Sequence, residues 1–399
     1  MNGDGDLRRA LQRIQAPDEL DAQRRAWSLA RAAFEAREPL SWERRHRGRL
    51  LAAAAAAVLL AAAISPPGRA LVGSVRDAVT DEKVTTQPAL TSLPASGRLL
   101  VNSKTGPWIV QADGSKRLQG PWWQGAWSPN AEFVVVTRQR EVAALDPEGN
   151  TRWSIGRSGI VRGASWSSEV NPRDTRIAYL NGRALRVVGG NGREDKELRR
   201  LVGISAPAWR PEAFELAFST VDGRIELVDA ESARTVWRTV PGEVPKQLVW
   251  SEDGERLLAL GDQSLRVLAA NGRKLFSLRL PVGPSGVVFV RESHRFVMVR
   301  YSPATGRSDL VLLQAEVDPG EARFLYSAPG EFGSLAMSPN GNWLLVGWVN
   351  ADQWLFLRLT AAKVQAVSNI SRQFGVETAG KPLTNTFPET VSWCCPASP

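Results

Sequence analysis

AWSPNAEFVVV, residues 126–136, sets a turn maker (Ser128, Pro129, Asn130) between a tryptophan and a run of β-formers. The stretch reads as strand, tight turn, strand. It recurs as SWSSEVNPRDTRIAYL at Trp166, AWRPEAFELAFS at Trp209, VWSEDGERLLAL at Trp250, VFVRESHRFVMV at Phe289 and AMSPNGNWLLVG at Met337. Successive copies lie 39, 43, 41, 39 and 48 residues apart. Each is followed by a third apolar strand and a polar turn, as in RIELVDAESARTVW and SLRVLAANGRKLF.

A period near 40 residues with four short strands per unit is the sequence form of a β-propeller. Blades stack on one another, so their middle strands are apolar on both faces and read VVV, LLAL and LFLRL instead of alternating. The large residues ending each first strand (Trp127, Trp166, Trp209, Trp250, Phe289, Met337) are then expected to fill the space between neighbouring blades, as packing residues and not as an aromatic ligand box. Residues 97–120 hold strands two to four of a unit with no first strand before them, and ETVSWCCP (389–396) holds a first strand with nothing after it. The C-terminal strand is therefore expected to complete the first blade and close a ring of seven, leaving no long sheet edge exposed. Six blades with a different closure is the alternative.

The repeat resembles the tryptophan-Ser-Pro-Asp-Gly repeat of TolB-like and WD-like propellers over roughly residues 97–396. ALDPEGNTRW and LVDAESARTVW are also similar to stretches of quinoprotein-type and outer-membrane-assembly lipoprotein propellers. The sequence departs from the pattern where Trp becomes Phe289 and Met337, and Asp-Gly survives cleanly only at Asp253-Gly254. The resemblance implies a fold and says little about function.

Ahead of the repeats, no charged residue occurs from Leu50 to Gly68, and Leu50–Ser65 is apolar nearly throughout. As a helix these sixteen residues reach about 24 Å against a hydrocarbon core of roughly 30 Å, a short span that needs anchoring at its ends. Arg44, Arg45, Arg47 and Arg49 crowd its N-terminal flank and, by the positive-inside rule, hold the preceding chain in the cytoplasm. The expected organisation is a cytoplasmic helical tail (1–45), an uncleaved transmembrane signal anchor (46–68), a juxtamembrane helix with a Pro/Ser/Thr linker (69–96) and an extracytoplasmic propeller (97–399), placing the protein in the plasma (inner) membrane. In the tail, Leu20, Trp27, Ala30 and Phe34 lie on one helical face between Pro17 and Pro39. That stripe can dock a partner or the inner leaflet, and Leu20, Trp27 and Phe34 are its candidate docking residues. The layout resembles bacterial transmembrane anti-sigma factors, although the His-x3-Cys-x2-Cys motif of many such tails is absent.

Composition narrows the chemistry. Of 399 residues 43% are apolar and 23% charged, a globular balance, and the net charge is +9. Residues 97–399 carry 36 basic against 30 acidic side chains, scattered singly and without a basic stripe interleaved with aromatics, so no nucleic-acid partner is expected. The two histidines, His46 and His294, lie far apart, and the only cysteines are the adjacent Cys394 and Cys395. No metal site, no histidine triad and no cofactor is expected from that inventory. The chain lacks a G-x-S-x-G elbow and a P-loop, and Gly189-Gly190-Asn191-Gly192 reads as a hairpin turn. Cys394-Cys395 reads as two small apolar residues alternating on the closing strand, the other reading being a vicinal disulfide over a quinone cofactor.

The functional expectation is a non-enzymatic binding scaffold of the bacterial cell envelope, with protein or a small ligand on the propeller face. A transmembrane sensor relaying binding to a cytoplasmic regulator is the alternative. Irregular loops at 168–175, 241–246, 302–308 and 373–388 are the candidate contact loops.

Overall fold

The computed structural model describes residues 83–395, apart from 169–173, 281, 283–284, 319, 361–362 and 376–385. The expected tail and membrane segment, with Leu20, Trp27 and Phe34, lie outside the described residues. Among the described residues no helix is long and apolar enough to cross a membrane.

Seven sheets, each with four antiparallel strands, follow one another around a ring, which makes the protein an all-β, seven-bladed propeller and sets aside the six-bladed alternative. The inner strands of blades two to seven are Gln124–Trp127, Val161–Trp166, Ala208–Trp209, Gln247–Trp250, Val287–Phe289 and Phe332–Met337. Blade one takes its inner strand from the C-terminus, as its missing first strand requires. Thr390–Cys394 pairs antiparallel with Arg98–Ser103, setting Trp393 opposite Leu99 and Val391 opposite Val101. The middle strands are buried on both faces because each blade is covered by two neighbours: Trp343–Trp348 is buried at every position.

Turn chemistry accounts for the repeated hairpins. Ser128 Oγ donates to Asn130 Oδ1 at 3.0 Å and accepts the Phe133 amide at 3.0 Å. Ser251 does the same with Asp253 and the Arg256 amide, and Ser338 with Asn340 and the Trp343 amide. These serines are buried, so each hydroxyl stands in for a backbone partner at a strand end where water is excluded.

The large residues closing the inner strands occupy the spaces between blades. Trp209 packs with Leu185 and Val187 of blade three and Leu216 and Phe218 of its own blade. Phe289 and Met337 hold the equivalent places with fewer ring atoms. Trp250 donates its indole N–H to the Ala208 carbonyl of the preceding blade, and Trp209 donates to Ser165. A second set ties outer strands to the following blade. Trp153 and Trp237 donate to the carbonyls of Gly190 and Ala270, each ring lying against a turn glycine, Gly192 or Gly272, whose positive φ and lack of a Cβ leave it room.

Two departures from the sequence reading stand out. Residues 85–96 read as a linker, yet Lys83–Gln87 adds a fifth strand to blade seven, parallel to Lys363–Ser368. Past it, Leu90 and Leu93 are buried between blades seven and one beside Trp354 and Phe374. Cys394 and Cys395 do not simply alternate on the strand: they are joined in a vicinal disulfide, with Cys395 past the strand end at φ 44°.

Candidate interaction face

Antiparallel order within every blade sorts the connections onto two ends of the ring. Turns joining strands one to two and three to four form one end, here the lower face. Turns joining strands two to three, with the loops that pass to the next blade, form the upper face. Three of the expected contact loops, 241–246, 302–308 and the described parts of 373–388, lie on the upper face, and 168–175 lies on the lower one.

Exposed apolar side chains divide unequally between these ends. Of eleven large hydrophobic residues exposed among the described residues, eight belong to the upper face: Trp123, Ile160, Leu201, Ile204, Val221, Val240, Val282 and Val349. Val317 alone lies on the lower face, and Val236 and Phe324 sit on outer strands. Singly exposed hydrophobics need no explanation, whereas a set gathered on one end marks a surface to be covered.

Backbone hydrogen bonds hold these loops in place. The Trp123 amide donates to Thr137, Val161 to Gln139, Gly182 to Ile160, Val202 to Arg183 and Val221 to Leu201, all at 2.7–3.1 Å. Each inter-blade loop of this sector is thereby tied to a neighbouring hairpin turn. Leu201 has φ 55° and is 64% exposed, a left-handed leucine presented to solvent. Such a conformation costs a residue with a Cβ about 1–2 kcal/mol. Ile204, 65% exposed, sits one residue before Ser205, whose hydroxyl is bonded at 2.7 Å to Ser219 in the interior.

Further round the upper face, Glu243, Gln263, Ser264, Arg266 and Arg279 line an open cavity of about 600 Å³. Glu243 accepts the Gln263 amide and the Ser264 hydroxyl, and Arg266 donates to the Glu243 carbonyl at 2.7 Å. Burial pushes the Arg266 guanidinium down from its ordinary value, against the attraction of Glu243.

The lower face is polar, and part of its charge is paired within the face. His294 bridges Asp253 at 2.6 Å and Glu316 at 2.7 Å, and Arg256 holds Glu316 at 2.9 Å. Burial pushes Asp253 up, but hydrogen bonds from Ser251, the Glu255 amide and His294 outweigh it and hold the carboxyl at about 2. Arg291 pairs with Glu252, and Arg210 with Glu215. The vicinal disulfide lies at this end, Cys395 Sγ 3.1 Å from the Pro129 carbonyl. Between blades two and three, Asp195 gathers Arg157, Arg186 and the buried Tyr179 hydroxyl. Burial and the Asp195 hydrogen bond push Tyr179 up to about 12, so its phenol keeps its proton at neutral pH. No three His, Cys, Asp or Glu side chains converge as metal ligands among the described residues.

No protein-family model and no curated protein matches the chain. A solved structure supports the fold, and two others align less closely. A chain of the Mitotic Checkpoint Complex aligns with a TM-score of 0.53 at 16% identity, covering 68% of this chain and 93% of that one. The β-propeller domain of Cps50 (Swd1) from Myceliophthora thermophila aligns at 0.47 and 15% identity, covering 60% and 84%. Hydrazine synthase from Kuenenia stuttgartiensis gives 0.47 and 14%, covering 59% and 76%. Identities this low speak for architecture alone.

The residues that sequence reasoning passed over are Leu201 and Ile204 in LVGISAP, residues 201–207. Their signal was two large apolar residues with no strand period around them, directly after Arg199-Arg200.

Proposed function

We propose that this protein is a non-enzymatic binding scaffold of the bacterial cell envelope, of the TolB-like kind, anchored in the inner membrane by residues 46–68 with its propeller extracytoplasmic. The observation that carries the binding role is the gathering of eight exposed apolar side chains on the upper face. The lower face, by contrast, exposes one large apolar side chain, Val317, among the described residues. Anchoring rests on the uncharged run 50–68 behind Arg44, Arg45, Arg47 and Arg49.

Two measurements test the reading. Alkaline extraction with protease accessibility is expected to leave the full chain in the membrane and the propeller reachable only from outside. Replacing Ile160 and Ile204 by serine is expected to abolish partner recovery, while Val317→Ser leaves it intact. Equal loss from both faces refutes the assignment.

A second reading, a sensor that relays binding to a cytoplasmic regulator, is favoured by the apolar stripe Leu20, Trp27 and Phe34. Aspartate at all three positions in the full chain would then release a stoichiometric cytoplasmic partner without affecting the propeller's own ligand.

A further inference from the structure

Within the upper face one sector differs from the rest in charge. From blade two to blade four its connections carry Arg138, Arg140, Arg157, Arg183 and Arg200. The carboxylates near them are engaged: Glu141 with Arg138, Asp195 with Arg157, Glu197 with Arg200, and Asp222 of the blade-four turn with Arg224. Arg140 and Arg183 are exposed and have no acceptor among the described residues. Across blades five to seven the upper-face turns carry Glu243, Asp262, Glu331 and Asp352, which offset the cations there.

The apolar residues of the cationic sector alternate with its free cations along one arc. Ile160 is bonded through its carbonyl to Gly182, next to Arg183, and Arg183 through its carbonyl to Val202, next to Leu201. On the other side, Arg140 accepts the Arg157 amide, and Gln139 beside it accepts Val161 beside Ile160. The backbone carrying the apolar anchors and the arginines is thus held in fixed sequence, so that part of the ordering cost is met in folding, while the guanidinium groups are ordered on binding. Leu201 fits this picture, because its left-handed backbone presents a side chain that gains no burial in the isolated domain.

We infer that this arc, from Trp123 through Arg140, Ile160 and Arg183 to Leu201 and Ile204, binds an acidic segment of a partner protein, one in which apolar residues alternate with Asp or Glu. Apolar side chains of the segment cover the exposed anchors while its carboxylates meet Arg140 and Arg183, where guanidinium groups accept paired oxygens. An anionic bilayer fits less well. Lying on it, the whole face would press Glu243, Asp262, Glu331 and Asp352 against phosphates, and those carboxylates occupy the other half of the ring. The inference rests on the upper face being the working surface and adds the sector and the chemistry of its partner.

Site-specific photo-crosslinking of the full chain in its native membrane tests it. A benzophenone side chain is placed singly at Ile160, Ile204, Val240, Val282 or Val317, and products are mapped by peptide mass. The expected result is one protein captured from positions 160 and 204, the linked peptide carrying net negative charge. Its yield should fall about tenfold in R140E/R183E, with an unchanged melting midpoint because neither side chain is paired. Capture of lipid alone, of a peptide without acidic residues, or of a product indifferent to R140E/R183E overturns the inference, as does no product. Capture only from 240 and 282 overturns it while leaving the upper face as the working surface. Capture only from 317 overturns both.

Discussion

The indole nitrogen of Trp393 donates a 3.2 Å hydrogen bond to the carbonyl of Ser96, across 297 residues of chain. Around that bond the Trp393 ring meets Phe356 edge-on at 5.8 Å and fills the joint between blades seven and one. Trp393→Ala is expected to cost about 3–5 kcal/mol, and removal of residues 389–399 should lower the melting midpoint of the whole domain. An unchanged midpoint in the truncated protein would mean that the ring is held elsewhere.

Trp237 and Gly272 make a separable test of the joints between outer strands. A methyl group on Gly272 would lie 2.6 Å from the Trp237 ring, at a φ of +81° that strains any other residue. Gly272→Ala is expected to destabilise by about 1–3 kcal/mol. Trp237→Phe keeps most of the packing and loses the bond to Ala270, for about 1 kcal/mol. Chemical denaturation measures both, and equal stability of all three proteins would contradict the packing role.

Acid should act on the lower face. Asp253 titrates at about 2 in the folded protein, below the roughly 3.9 of an unfolded chain. A depressed carboxyl contributes stability above the unfolded value and loses it as pH falls through the folded one, so the window runs from about pH 4 down to about pH 2. Half of the Asp253 side chain is exposed, which keeps the effect small. Asp253→Asn should therefore flatten the acid limb of the stability profile in that window, and a limb as steep as the wild type's would remove Asp253 as its cause.

Leu201 offers a trade between stability and binding. Asparagine tolerates the left-handed region, so Leu201→Asn is expected to raise folding stability by up to about 1 kcal/mol while weakening capture at position 204. Loss of both stability and capture would make Leu201 an ordinary structural residue.

Much of the fold is legible in the sequence, because a propeller repeats its chemistry. Trp127, Trp166, Trp209 and Trp250 recur at one place in the unit, and SWCCP answers the missing strand before Arg98. Lys83–Gln87 escaped notice since a parallel strand has no hairpin turn to announce it, and TTQPALTSLPAS has the composition of a linker. The gathering of apolar residues on the upper face was hidden for a geometric reason. Trp123, Ile160, Leu201 and Ile204 are far apart in sequence, and only closure of the ring brings their loops to one end. Cys395 turned out differently because its backbone leaves the strand, at φ 44°, before the alternation reaches it.

The strand at Lys83–Gln87 also has a mechanical meaning. It runs from the lower rim toward the upper one, its five residues matched to Lys363–Val367. Tension arriving through the chain before Lys83 and directed away from the lower face would load those five pairs together, in shear, before it reached the joint at Trp393. A sideways pull would peel them one at a time and release the slack of residues 88–97. The edge of blade seven can thus serve as a strain relief, yielding first so that the closed ring need not.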